Sequence, residues 1–127
     1  MPIVKRGIVN SRVLVVEDDP AIRRMVSSVL EEQGYEALTA EDAETAMELV
    51  SKHRPSAIIS DVRLGGMDGA TLSRRIKSTP EFSNTSVLLI SAYPEPDGHA
   101  GDAFLAKPFD VNALIEWVKA SLERRRG

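Results

Sequence analysis

The sequence predicts an α/β fold in which helices cover both faces of a single doubly wound, five-stranded parallel sheet. Short apolar runs alternate along the chain with longer segments of helical periodicity, which is the pattern of successive strand–helix–strand units. The apolar runs are largely continuous rather than alternating, and such strands are buried on both faces. The chain has 127 residues, of which 43% are hydrophobic and 28% are charged. These values suit one globular domain.

Five segments are predicted as strands from their apolar and β-branched content. The fourth is apolar throughout, whereas the second is less hydrophobic and is expected nearer an edge of the sheet. If the first strand lies between the second and the third, the strand order is the flavodoxin-like 2-1-3-4-5. The predicted strands are residues 13–16, 35–40, 57–60, 87–90 and 104–106.

Four segments are predicted as helices because apolar residues recur in them at helical spacing. Asp19 and Pro20 favour the start of the first helix, and Gly34 favours its end. Asp42 is suited to cap the second helix. The apolar positions that define the last two helices are Leu72, Ile76, Val111, Leu114, Ile115, Val118 and Leu122.

The connection between the fourth and fifth strands is predicted to lack a helix. About a dozen residues separate Ser91 from Phe104, which is close to the shortest crossover that joins two parallel strands. Prolines and glycines leave little room for a helix there. The helix of this crossover, the fourth of a regular five-stranded fold, is therefore expected to be missing or reduced to about one turn. The helix-breaking residues are Pro94, Pro96, Gly98 and Gly101.

Composition and charge exclude several classes of protein. Because there is no cysteine, disulfides, thiolate metal sites and cysteine nucleophiles are excluded. The absence of cysteine is consistent with a protein from a reducing compartment. The net charge is −3, so nucleic-acid binding through a basic face is not expected. No apolar run is long enough for a secretory signal or a membrane span, and we predict a cytoplasmic protein without membrane contact. Residues 1–10 are predicted as an N-terminal leader and residues 11–126 as the domain.

Charged residues follow three of the predicted strands at their carboxyl ends, where open parallel sheets bind ligands. Glu17 and Asp18 follow the first strand, Asp61 follows the third and Lys107 follows the fifth. Three carboxylates and one ammonium leave about two negative charges, which Mg²⁺ is suited to balance. Such a group is typical of a phosphoryl-transfer site, in which a carboxylate can act as the nucleophile.

Each of these features has an ordinary structural interpretation when taken alone. An acidic run before proline commonly caps a helix, and an aspartate at the end of a strand commonly forms a turn. A Lys-Pro pair before a helix commonly marks a boundary. The prediction of a site depends on finding all three at the ends of the right strands.

Four stretches of the chain together resemble the response-regulator receiver domain of two-component signalling. They are residues 13–20 (Val-Leu-Val-Val-Glu-Asp-Asp-Pro), residues 58–69 around Asp61, residues 88–92 (Leu-Leu-Ile-Ser-Ala) and residues 104–109 (Phe-Leu-Ala-Lys-Pro-Phe). The resemblance covers about residues 11–125, and the set is specific although each stretch alone is not.

The resemblance implies a role for each matching acidic position. Asp61 matches the phosphoacceptor and Asp18 matches a direct magnesium ligand. Glu17 matches the acid that holds the ion through water, and the backbone carbonyl of Arg63 matches a further ligand.

The resemblance also implies roles for three residues on the last two strands. Lys107 matches the lysine that pairs with the phosphoryl group, and Ser91 matches the hydroxyl that moves to bind it. Phe104 matches the aromatic residue that swings inward with that hydroxyl. Phosphorylation adds charge and acceptor oxygens at one point, and this local change biases a two-state surface.

The function implied is a phosphorylation-activated switch. Its phosphoryl donor would be a sensor histidine kinase or a phosphotransfer protein, its reader an unidentified downstream protein, and a homodimer is one possible form. Because it acts only on itself, it is not expected to be an enzyme with an external substrate. A phosphorylation-independent pseudo-receiver that binds partners is the alternative. A magnesium-dependent phosphatase or nuclease is less consistent, since the Asp-x-Asp pairs that such enzymes use are absent.

Two stretches depart from the usual receiver pattern. Leu64-Gly65 stands where the family usually has Met-Pro, which is expected to make this loop more mobile. The crossover lacks a predicted helix, and we expect residues 93–102 themselves to be a switching element that changes between order and disorder. His53 and His99 are predicted at the surface rather than as ligands.

Overall fold

The computed structural model describes residues 11–126, which form a five-stranded parallel sheet between two layers of helices. In chain order the strands lie second, first, third, fourth and fifth across the sheet, so the predicted fold class and strand order are confirmed. The predicted leader, residues 1–10, lies outside the described residues. The strands are β1 (Arg12–Val16), β2 (Glu36–Ala40), β3 (Ala57–Asp61), β4 (Ser86–Ser91) and β5 (Ala103–Ala106). The helices are α1 (Pro20–Glu32), α2 (Ala43–His53), α3 (Gly69–Ser78) and α4 (Val111–Arg126), with a 3₁₀ turn at Pro80–Phe82.

The core consists of two apolar layers, one on each face of the sheet. Leu14 and Ile58 face the layer shared with α2 and α3, whereas Val15 and Ile59 face the layer shared with α1 and α4. Strands β3 and β4 are buried along their whole length, which explains why their sequences are apolar without alternation. Each fully buried Leu or Ile side chain stabilises the fold by about 1.5–3 kcal/mol relative to an exposed one.

Helices α1, α2 and α3 each begin at an aspartate whose side chain accepts a backbone N–H of the first turn. Asp19 accepts from Ala21, Asp42 from Thr45 and Asp68 from Thr71, at 2.7–2.8 Å. These caps satisfy donors that have no partner within the helix. The three caps therefore fix where α1, α2 and α3 start, close to the carboxyl ends of the strands.

The connection from β4 to β5, residues 92–102, consists of bends and turns and contains no helix. A fourth helix is present in the described part of the chain, but it is the C-terminal α4 and not a crossover helix. The Asp102 N–H donates to the Val87 carbonyl at 2.7 Å, so the segment approaches the sheet closely before β5 begins. None of the described helices has the length and apolar composition needed to cross a lipid bilayer.

Candidate phosphorylation site

Three carboxylates meet at the carboxyl edge of the sheet. Glu17 and Asp18 directly follow β1, and Asp61 is the last residue of β3. Strands β1 and β3 are neighbours in register, with Val16 opposite Ser60, so the two strand ends lie side by side. One carboxylate oxygen from each of the three acids lies within 4.8 Å of the others. The convergence predicted from the strand ends is therefore present.

The three carboxylates differ in their access to solvent. Glu17 is 1% exposed and Asp61 is 6% exposed, whereas Asp18 is exposed. The Glu17 carboxylate is oriented by the Asp19 N–H, which donates to its Oε2 at 3.1 Å. The site thus combines two shielded carboxylates with one that faces solvent.

Lys107 brings the only ammonium that contacts these carboxylates among the described residues. Its Nζ lies 3.2 Å from Glu17 Oε1 and 3.2 Å from Asp61 Oδ2. Lys107 follows β5, and its N–H donates to the Ser91 carbonyl at 2.8 Å, which fixes its backbone against the end of β4. The Lys107–Pro108 peptide bond is cis. With one ammonium against three carboxylates, the cluster keeps a formal charge of about −2.

Burial and neighbouring charge shift the pKa values of two groups in the cluster. Burial, reinforced by the charge of Asp61, raises the pKa of Glu17 above its ordinary value, although the Asp19 N–H and Lys107 oppose this. Burial acts to lower the pKa of Lys107, but the hydrogen bond to Glu17 and the charges of Asp61 and Glu17 outweigh it and raise the pKa. Lys107 is therefore held as an ammonium, while Glu17 holds its proton more tightly than an exposed glutamate does.

The loop after Asp61 folds back against the site at Gly69. The Gly69 N–H donates to the Val62 carbonyl at 2.8 Å. A Cβ atom at position 69 would lie 2.3 Å from the Asp61 carbonyl oxygen, which no side chain tolerates. Only glycine therefore allows α3 to start this close to the phosphoacceptor candidate.

The other predicted site residues lie at the end of β4, on β5 and in the loop after β3. Ser91, the last residue of β4, is fully buried, and its Oγ accepts the Tyr93 N–H at 3.0 Å. Phe104 on β5 is partly buried against the α2–α3 layer of the core. Arg63 is exposed, and its guanidinium stacks on the Tyr93 ring at 4.3 Å from the ring centroid.

Two contacts at the site were not predicted. Arg23, on the first turns of α1, donates from Nη1 to the Glu17 carbonyl at 2.8 Å. The stack of Arg63 on Tyr93 joins the loop after β3 to the segment after β4. Neither contact has a sequence signal, because each depends on how a long side chain is directed in the folded structure.

A family model for the response regulator receiver domain matches residues 13–119, which contain all of these site residues. The chain belongs to the response-regulator receiver family. This receiver is therefore a signalling domain of two-component systems, and its acidic cluster lies within the residues that the family model matches.

Curated relatives include both a protein of similar length and longer ones. The receiver is 31% identical over 121 residues to sporulation initiation phosphotransferase F of Bacillus subtilis, covering 91% of this chain and 96% of that protein. It is 31% identical over 123 residues to the phosphate regulon transcriptional regulatory protein PhoB of Pseudomonas aeruginosa, covering 92% of this chain. The match covers 54% of PhoB, so the receiver spans about half the length of that relative.

A solved structure shares the receiver's fold at 30% identity. It is the response regulator protein TrrA from Thermotoga maritima in complex with Mg²⁺-BeF, and it superposes with a TM-score of 0.80. The match covers 87% of this chain and 98% of that chain.

Proposed function

We propose that this receiver accepts a phosphoryl group on Asp61 from a phosphohistidine of a sensor histidine kinase or phosphotransfer protein. One observation carries the proposal: Asp61 lies in a carboxylate cluster and contacts Lys107 at 3.2 Å, at the ligand-binding edge of a receiver fold. This arrangement supplies a nucleophile, a charge-balancing cation and a site for a divalent ion.

The donor set of the cluster fits Mg²⁺. All the groups that converge are oxygen ligands, which this ion prefers. The formal charge of the cluster, about −2, would be balanced by the two positive charges of the ion. Asp18 and Asp61 would hold the ion directly, Glu17 through water and Arg63 through its backbone carbonyl. When bound, Mg²⁺ would offset negative charge on the transferring phosphoryl oxygens.

The proposed transfer is a substitution at phosphorus. A carboxylate oxygen of Asp61 forms the new P–O bond while the P–N bond to the donor imidazole breaks, and that electron pair returns to the imidazole nitrogen. Lys107, already positioned by Glu17, pairs with a phosphoryl oxygen of the product. Attack of water on phosphorus then releases inorganic phosphate and restores Asp61. The chain thus acts on itself and not as an enzyme with an external substrate.

Phosphorylation would change the surface at the ends of β4 and β5. The Ser91 hydroxyl would turn to donate to a phosphoryl oxygen, and Phe104 would move into the space that Ser91 vacates. A downstream protein reads the altered surface, and a second copy of this chain is one candidate reader. The net charge of −3 argues against direct contact with nucleic acid. We propose that the receiver acts in the cytoplasm.

An apolar groove beside Lys107 supports a protein as the phosphoryl donor. Its volume is about 390 Å³, and Met25 on α1 is 40% exposed along it. A donor protein could seat apolar side chains there while its histidine reaches Asp61. The groove is lined by Ile22, Met25, Ala92, Lys107, Pro108 and Phe109.

Intact-mass spectrometry after incubation with acetyl phosphate and Mg²⁺ tests the proposal. Wild type should gain one phosphoryl group only when Mg²⁺ is present, and Asp61→Asn should gain none. Asp97→Asn is a matched control, because Asp97 is exposed and lies outside the cluster. If wild type stays unmodified with both acetyl phosphate and a phosphorylated donor protein, the phosphorylation-independent pseudo-receiver replaces this proposal.

A further inference from the structure

Residues 92–102, which we call the strap, are fastened at their first turn to the buried hydroxyl of Ser91. The Tyr93 N–H donates to Ser91 Oγ at 3.0 Å. Tyr93 is 55% exposed, and the Arg63 guanidinium stacks on its ring at 4.3 Å from the ring centroid. The start of the strap therefore depends on the orientation of the same hydroxyl that is proposed to bind the phosphoryl group.

Two neighbouring side chains of helix α3, Ser73 and Arg74, bind the middle of the strap, and we call this pair of contacts the clasp. Ser73 is fully buried, and its Oγ accepts the Ala100 N–H at 3.0 Å while donating to the Ala70 carbonyl at 2.7 Å. Arg74 donates from Nη1 to the Gly98 carbonyl at 3.1 Å. The Ser73 hydroxyl thus satisfies a strap N–H that a crossover helix would otherwise pair internally.

Contacts within the strap connect its start to this clasp. Glu95 Oε2 lies 2.7 Å from His99 Nε2, and His99 Nδ1 accepts the Gly101 N–H at 3.0 Å. Because Nδ1 accepts this hydrogen bond, the proton of the neutral His99 ring lies on Nε2, which donates to Glu95. Pro94 and Pro96 restrict the backbone between the two ends. The strap is thus braced along its length and is suited to move as one unit.

The end of the strap is fixed to the sheet and to α3. Asp102 Oδ2 lies 2.8 Å from Lys77 Nζ and accepts the Val87 N–H at 2.7 Å. A Cβ at Gly101 would lie 3.1 Å from Leu89 Cγ, so the strap backbone packs directly on the sheet. A closely packed, multiply bonded segment of this kind has a well-defined resting position.

We propose that the strap clasp on Ser73 and Arg74 holds the Ser91 hydroxyl in its resting orientation and so opposes the phosphorylated state. This inference rests on the proposed function. When Ser91 Oγ turns toward a phosphoryl oxygen, the Tyr93 N–H loses its acceptor and the start of the strap has to move. The hydrogen bonds of Ser73 and Arg74 to the middle of the strap oppose this movement. Because coupling between two sites is reciprocal, breaking the clasp must favour the phosphoryl-bound orientation of Ser91 to the same extent. Ser73 and Arg74 are thus positioning residues that act through the strap.

Amide hydrogen exchange of the unphosphorylated full chain tests whether the strap is one unit. Arg74→Ala should accelerate exchange of both the Ala100 and the Tyr93 amides about five- to tenfold, the effect of one lost hydrogen bond. Arg75→Ala is the matched control, since Arg75 is exposed on the same helix, and it should leave both rates unchanged. Acceleration at Ala100 without acceleration at Tyr93 would overturn the inference, because a merely local clasp cannot act on Ser91.

The same measurement after phosphorylation separates this inference from the proposed function. Mass spectrometry first shows whether the sample carries the phosphoryl group. In modified wild type, exchange at Tyr93 and Ala100 should be accelerated about tenfold, and Asp61→Asn under identical conditions should not change. Unchanged strap exchange in a sample that is fully modified refutes the clasp, whereas failure to modify wild type with any donor refutes the proposed function and the switching step with it.

Discussion

Lys107 Nζ lies 3.2 Å from Asp61 Oδ2, although the two residues are 46 positions apart in the chain. The contact spans three strand ends, because Lys107 follows β5, Asp61 ends β3 and β4 lies between them. The same ammonium holds Glu17 at 3.2 Å. A single cation therefore holds two of the three carboxylates together, which makes Lys107 the first position to alter.

Replacing Lys107 by methionine should slow phosphoryl uptake from acetyl phosphate about 100-fold, the usual cost of removing one preorganised charge-stabilising donor. Methionine keeps much of the side-chain length but leaves Glu17 and Asp61 without their shared cation. The initial rate of adduct formation, followed by mass spectrometry with Mg²⁺ in excess, measures the effect. Lys119→Met, at an exposed position of α4, should react like wild type. Equal rates for both variants would show that Lys107 has no part in the transfer.

Loss of the Glu17 proton should destabilise the metal-free receiver as pH rises. Its pKa is raised in the folded state above the ordinary value of 4.5, so the folded chain binds this proton more tightly than the unfolded chain does. That contribution is fully present below pH 4.5 and is lost as pH rises through the higher folded pKa. Within this window the loss approaches about 1.4 kcal/mol per pH unit for one proton.

Denaturant unfolding of wild type and Glu17→Gln across this pH range isolates the effect, because every other group titrates in both proteins. The free energy of unfolding of wild type should fall relative to that of the variant as pH rises. Since Mg²⁺ competes with the same proton, its affinity for wild type should rise over the same window. Parallel pH profiles for the two proteins would contradict a raised pKa at Glu17.

Introducing a methyl group at Gly69 should destabilise the fold and disturb Asp61. A Cβ there would lie 2.3 Å from the Asp61 carbonyl oxygen. To make room for it, the backbone at Gly69 and the backbone of Asp61 and Val62 would have to move apart. Gly69→Ala should lower the free energy of unfolding by about 1–3 kcal/mol, the typical cost of overpacking. Gly65→Ala is the control from the same loop, since nothing lies within 4 Å of its Cβ position. If urea denaturation gives equal stabilities for the two variants, the close approach at Gly69 has no energetic consequence.

The strand order and the acidic cluster could be predicted from sequence because both follow from regular structure. Runs of apolar residues as in β3 and β4 occur only where both faces of a strand are covered. Parallel strands also bring their carboxyl ends to one edge. Residues as distant as Glu17, Asp61 and Lys107 were therefore expected to meet, and they do.

The contacts of the strap could not be predicted, because no periodic pattern relates its residues to their partners. Ser73 looks like any small residue of a helix, yet its hydroxyl is buried and binds the Ala100 N–H. His99 was expected at the surface, but its side chain is only 12% exposed, since Glu95 and Gly101 both contact its ring. Such contacts depend on the path of an irregular segment, which only the folded structure fixes.

Removing the apolar side chain of Met25 should weaken phosphoryl transfer from a protein donor without affecting a small one. Met25 is 40% exposed and lines the same groove as Lys107, so a protein that brings a phosphohistidine to Asp61 would cover it. Met25→Gln should lower the second-order rate constant for transfer from the donor protein about fivefold, which corresponds to about 1 kcal/mol of lost apolar burial. Acetyl phosphate needs no such contact, so it should phosphorylate Met25→Gln at the same rate as wild type.

Arg24→Gln separates this effect from a general change in helix α1. Arg24 is exposed next to Met25 but does not line the groove, so its variant should keep the rate constant for transfer from the donor protein within about twofold of wild type at moderate salt. Equal losses with both variants would show a general change in helix α1 rather than loss of an apolar contact in the groove, because Met25→Gln alters no charge. A donor that is insensitive to both approaches Asp61 from another side, because a partner seated on α1 cannot avoid a side chain that is two-fifths exposed there.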